Sequence, residues 1–194
     1  LLLDLSVLAR LGQLGAALAG IAFALQTMRL QAKRRRARPD ATYRYWQLGL
    51  ISSIFALFLL STAALWPTAA ELEGWTLVFG VLLVAGGFLP FITGMLYKIV
   101  PFLSWMHLQN TGQAKVPAPA MNKILAESGM HRQMLAYGVA LILLLAAVFF
   151  PVWLARPAGL AFAVANGWLW WNLFSAIRRY RSHLADISRK LAAL

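Results

Sequence analysis

The chain contains no cysteine. That excludes disulfides, thiolate metal sites and cysteine nucleophiles, and leaves the redox compartment open. Acidic residues are also scarce, six against eighteen lysines and arginines. None falls inside an apolar run; Asp4 stands at the outer edge of the first. A proton pump working through an intramembrane carboxylate is therefore disfavoured. Charged residues of both signs make up 12% of the chain, about half the share of a soluble domain. There is no Walker loop, no Gly-rich dinucleotide motif on a strand and no HExxH, so the common nucleotide and zinc-hydrolase chemistries have no foothold.

What remains is mostly apolar, at 61% of residues. A soluble core cannot absorb that much apolar surface, but lipid can. Five runs are long enough to cross about 30 Å of hydrocarbon as helix. They cover about 5–30, 45–66, 75–97 or beyond, 134–154 and 157–177. They lack period-two alternation and exceed the length of barrel strands. The expected fold is all-α, a polytopic transmembrane bundle over 1–177 followed by an amphipathic tail over 178–194.

The net charge of +12 does not point to nucleic acid, because the basic residues cluster between apolar runs. Arg29, Lys33, Arg34, Arg35, Arg36, Arg38 and Arg44 follow the first run. Lys98, Lys115, Lys123 and Arg132 follow the third, and Arg178, Arg179, Arg181, Arg189 and Lys190 follow the fifth. Only Arg10 and Arg156 fall on the other side, whose connector carries Glu71 and Glu73. The positive-inside rule then places the N-terminus outside and the C-terminus in the cytoplasm, of a bacterial inner membrane if the source is bacterial. Trp46, Trp66, Trp75, Trp105 and Trp153 fall near the expected interfaces, as amphipathic rings should. In the tail, Tyr180, Leu184, Ile187, Leu191 and Leu194 form an apolar stripe amid arginines, suited to a membrane surface or a partner.

Small residues at four-residue spacing mark two helix faces: Gly12, Ala16, Gly20 and Ala24 in the first run, and Gly159, Ala163 and Gly167 in the fifth. Such stripes let backbones approach closely, within one chain or between chains. Asn166, near the middle of the fifth run, needs a hydrogen-bond partner in hydrocarbon, on a neighbouring helix or on a ligand.

The densest stretch is Gly94 to Gln109, GMLYKIVPFLSWMHLQ. From Trp75 to Leu108 a straight helix would be about 50 Å long, too long for one upright span. Pro90, beside Gly86-Gly87, should kink it and free the Gly86 carbonyl; Pro101 should bend it again. Tyr97, Lys98 and Trp105 then lie near the cytoplasmic interface, as snorkelling and anchoring residues or as ligand contacts. His107 and His131 flank the long loop, with Met106, Met130 and Met134 beside them. Paired histidines on two helices can grip haem iron axially, and imidazole with thioether suits copper(I). The rival reading of these histidines is simple solvation.

GMLYKIVPFLSWMHLQ, then VPAPAMNKIL and a helix ending FFPVWLARPAGLAF, resembles the C-terminal part of a group of uncharacterised bacterial integral membrane proteins. That group is in turn similar to NnrS-type and haem–copper oxidase subunit I-like proteins. The resemblance covers about Gly94 to Asn172 and implies a many-helix bundle of which this chain is the last portion. A first residue of Leu1 rather than Met fits further helices ahead of it. Haem–copper proteins hold their metals with histidines deep in the membrane, several paired on one helix, and none of the three histidines here lies there. The metal-binding part would sit in those missing helices, or this branch binds no metal.

Three functions follow. The first is a helical module or subunit of a larger respiratory or haem/copper-linked assembly, not an enzyme by itself. The second is an accessory subunit that binds only lipid and partner helices. The third is a small permease, for which Asn166, Ser52, Ser53, Ser61 and Thr62 offer a thin polar path and no internal repeat gives support.

Overall fold

A computed structural model describes residues 5–33, 40–113 and 115–193. Asp4, Arg34, Arg35, Arg36, Arg38 and Leu194, which carry part of the charge and tail patterns above, lie outside them. Among the described residues there is no strand. The order is α1 (Leu5–Ala32), α2 (Ala41–Leu65), a 3-10 turn (Pro67–Glu71), α3 (Trp75–Thr111), a single-turn α4 (Met121–Ile124), α5 (Glu127–Phe149) and α6 (Pro151–Ala192). All but α4 are long and apolar enough to cross a membrane, which makes five candidate spans.

The ends of these helices follow from local chemistry. Asp40 caps α2, its carboxylate accepting the Tyr43 N–H at 2.8 Å, where the first turn leaves donors without partners. Pro67 ends α2 by opening the 3-10 turn. Gly74, at φ +80, turns the chain into α3, a conformation that costs an L side chain energy. The step from α5 to α6 needs only Phe150, because Pro151 suits the first helical turn, where its missing N–H has no role. The fifth span therefore starts at Pro151 rather than 157, and Pro157 is carried inside it.

Two helices outrun a bilayer. At about 1.5 Å per residue, α3 reaches about 55 Å and α6 about 63 Å. The expected break between a fifth span and a separate tail at 178 is absent, since α6 is continuous to Ala192. Both overhangs lie at the same end of the bundle, where His107 on α3 meets Tyr180 on α6. Leu108, Val116, Ile124, Leu125 and Ile187 are buried there in one cluster, with Tyr180, Leu184 and Leu191 against it. The described part of the tail's apolar stripe therefore packs partly against the chain's own loop and α3. Burying it there removes apolar area from water.

The small-residue stripes are placed differently from expectation. α1 packs on α2 through Ala17 and Ala24, both buried, and through a Gln47–Gln31 side-chain hydrogen bond of 2.6 Å. Of the expected face, Ala24 is buried and Gly20 approaches Leu57, while Gly12 meets nothing and Ala16 is exposed. On α6 the buried face runs through Ala158, Ala165, Leu169, Asn172 and Ala176, and Gly159, Ala163 and Gly167 are exposed. Strict four-residue spacing drifts about 40° around the helix per step. Alternating three and four keeps one face toward a neighbour. Replacing Gly159 and Gly167 with alanine should leave the thermal midpoint of the isolated chain unchanged or slightly raised, since nothing lies within 4 Å of either added carbon and each change favours helix by about 0.5–1 kcal/mol. Scanning fluorimetry of the double variant checks this; a lowered midpoint would show that these glycines are contact positions after all.

Candidate functional site

The interior of the bundle is organised by a polar node on α5. Gln133, two turns from the start of that helix, is fully buried. Its Oε1 accepts from the Tyr45 hydroxyl on α2 and from the Tyr97 hydroxyl on α3 at 3.1 Å. Its Nε2 donates to the Ala165 carbonyl on α6 at 3.0 Å. That carbonyl can only accept, so it fixes which way the amide points. Asn172 on α6 donates to the Tyr97 hydroxyl at 2.9 Å and reaches the Gly129 carbonyl at 3.5 Å. One amide thus ties α2, α3, α5 and α6 together.

One turn along α5, Tyr137 donates to the Ala85 carbonyl at 2.5 Å. Residues 81–88 of α3 form a π-helical segment. There the Leu89 N–H reaches back five residues to Val84. The next donor in that register would serve Ala85, but residue 90 is proline, which has none. Tyr137 supplies the missing donor. The expected freed carbonyl, Gly86, is displaced by one residue because the register is five rather than four. The rings pack as well, Tyr45 lying 6.1 Å from Tyr97 and 6.0 Å from Tyr137 between centroids. Among the described residues, the buried side-chain polar atom left without a partner is the indole nitrogen of Trp75, at the start of α3.

Beside Tyr97, at the basic end of the bundle, a cavity of about 560 Å³ lies between the start of α2, the middle of α3 and the loop that leads into α5. Phe102 and the thioethers of Met95, Met121 and Met130, which adapt to irregular shapes, form apolar walls. Asp40, Lys98 and Glu127 bring charge to the same cavity. None of the three forms an ion pair among the described residues, where the pair present is Arg189–Asp186. Asp40 uses one oxygen as the α2 cap.

The residues singled out in the sequence are therefore divided. Tyr97, Lys98 and Met130 come together at the cavity. His107 is exposed on the α3 overhang, its Nδ1 2.8 Å from the Tyr180 hydroxyl. His131 is half-buried, its Nδ1 2.9 Å from the Glu127 carbonyl of its own helix. The two histidines share no partner among the described residues, where no group of three or more His, Cys, Asp or Glu is placed to hold a metal. Met106 is exposed on α3, and Trp105 packs against the core with its ring 6.4 Å from Phe102. Asn166 donates to Phe162 of its own helix at 2.8 Å rather than across helices. Gln133, Tyr45, Tyr137, Asp40 and Glu127 were not singled out. The available signal was Gln133 and Tyr137 at i, i+4, which puts an amide and a phenol on one helix face.

No protein-family model matches the chain, and neither a curated protein nor a solved structure does.

Proposed function

We propose that this protein is a helical membrane module, a subunit or portion of a larger bacterial inner-membrane assembly, that holds an amphiphilic ligand in the cavity beside Tyr97. In this reading the basic end faces the cytoplasm, as the positive-inside rule requires. The observation that carries it is the cavity itself, where adaptable apolar walls meet three charges that form no ion pair among the described residues. That combination suits a molecule with an apolar body and a polar head. The deeper hydroxyls and amides already bond one another, which supports a scaffold role for the node rather than catalysis.

The test is mass spectrometry of the protein released from its own membrane in mild detergent. The wild type should retain about one amphiphile per chain, and Met95→Trp, which fills the cavity, should lose it while the fold and thermal midpoint persist. Retention unaffected by Met95→Trp would overturn the reading. Stoichiometric copper or haem absorbance in the same preparation would replace it with a redox module.

A further inference from the structure

The charges of the cavity are specific enough to name the head group. Lys98 is a cation with three N–H donors, and Asp40 and Glu127 are carboxylates that only accept. Together the three carry one net negative charge, so a purely anionic head would meet more repulsion than attraction. A head with no ionic groups would leave the three charges, of which Lys98 and Glu127 are exposed, to water alone and make no charge-assisted bond with any of them. A head with both a phosphate and a primary ammonium satisfies all of them, the phosphate on Lys98 and the ammonium on Asp40 and Glu127.

The apolar part of such a molecule also has a place. Met95, Ile99 and Phe102 line the cavity at i, i+4 and i+7 of α3, and each is exposed. That spacing makes one continuous apolar stripe along the helix. Ile99 and Phe102 lie on the basic-end side of Lys98, so an acyl chain with its head at Lys98 runs the other way, from Met95 over the exposed Ile92 and Phe88.

Resting on the amphiphile reading above, we propose that the ligand is an aminophospholipid, a diacyl lipid whose head pairs a phosphate with a primary ammonium, and that Lys98, Asp40 and Glu127 select it. A quaternary ammonium has no N–H to donate to the two carboxylates, and a glycerol head has no cation. Selectivity among these heads therefore reports on the carboxylates. Binding of any phosphate-bearing head reports on Lys98.

The experiment uses the full chain in nanodiscs of a neutral carrier lipid, with native mass spectrometry reading bound phosphatidylethanolamine, phosphatidylcholine or phosphatidylglycerol added at equal amounts. Phosphatidylethanolamine should be preferred over each of the others by about tenfold, the discrimination expected from one charge-assisted hydrogen bond. Asp40→Asn with Glu127→Gln should bring phosphatidylethanolamine and phosphatidylcholine to near equality; asparagine keeps the α2 cap. Lys98→Met should weaken all three lipids. Preference for phosphatidylglycerol, or a phosphatidylethanolamine preference that survives Asp40→Asn with Glu127→Gln, overturns the head-group assignment and leaves the amphiphile reading standing. Equal retention of every lipid by wild type and Met95→Trp overturns both.

Discussion

Replacing Gln133 with leucine should lower the thermal midpoint of the detergent-solubilised protein by about 10 °C, corresponding to about 2.5–5 kcal/mol in a chain of this size. The side chain makes three interhelical hydrogen bonds. Bonds of this kind between membrane helices are worth about 0.6 kcal/mol each on average, so their sum alone would be modest. The larger cost comes from what is left behind. Tyr97 still accepts from Asn172, but its own O–H and that of the fully buried Tyr45 both lose their acceptor. A buried hydroxyl without a partner costs about 1–3 kcal/mol.

This asymmetry gives a sharper result than the single variant. Adding Tyr45→Phe to Gln133→Leu removes one of the two stranded hydroxyls, and the midpoint should recover by a few degrees even though another polar group has been deleted. In the wild-type background Tyr45→Phe should be mildly destabilising. If its cost were the same in both backgrounds, Tyr45 and Gln133 would not be bonded partners.

The second large effect is steric. A β-carbon on Gly86 would fall 2.6 Å from Ser52 Cβ and 2.7 Å from its Oγ. Ser52 Cβ is fixed to the α2 backbone and has no rotamer that moves it aside. Gly86→Ala therefore forces α2 and the π segment of α3 apart, at about 1–3 kcal/mol for overpacking, and Gly86→Val should cost more. Gly20 offers the contrast. Its added carbon would lie 2.6 Å from Leu57 Cδ1, the end of a flexible side chain that can turn away, so Gly20→Ala should be much cheaper. Gly49 stands between them, because the Phe91 ring that it would meet at 2.7 Å can tilt at some cost. Ser52→Gly in the Gly86→Ala background should restore most of the lost stability. A Gly86→Ala protein as stable as wild type would mean that the two helices do not approach this closely.

Hydropathy read the spans well because the transfer of apolar side chains into lipid is a bulk property, insensitive to the detail of packing. It read the ends poorly. The fourth run was expected to start at Met134, one residue beyond Gln133, because a polar residue at the edge of an apolar window looks interfacial. α5 in fact begins at Glu127, which puts Gln133 inside the helix. The same limit hid the continuity of α6, whose last turns are amphipathic and pack in part against the protein's own core.

The close-packing faces were misread for a geometric reason. Spacing of four marks residues near one another on a helix, but the direction of the neighbour decides which of several such rows is used. On α1 the contact uses Gly20 and Ala24 of the expected row together with Ala17, and leaves out Gly12 and Ala16. An irregularity before Pro90 was legible from Gly86-Gly87-Phe88-Leu89-Pro90, whereas its form, a π segment over 81–88, was not, since the extra residue in the turn is matched by Tyr137 from α5. Within the cavity, Tyr97 and Lys98 stood out because they interrupt an apolar run. Asp40 and Glu127 did not, because each looked like an ordinary helix-start residue, and only the fold brings them to Lys98.

The account rests on five crossings that gather the basic connectors, and the cavity between them, on a single side of the membrane. The absence of cysteine allows this to be measured directly, by single substitutions Lys123→Cys, Arg189→Cys and Glu71→Cys probed with a membrane-impermeant maleimide in sealed vesicles before and after permeabilisation. Positions 123 and 189 should label together and position 71 in the opposite condition. Labelling of position 71 from the same side as 123, or of 123 and 189 from different sides, would contradict the account.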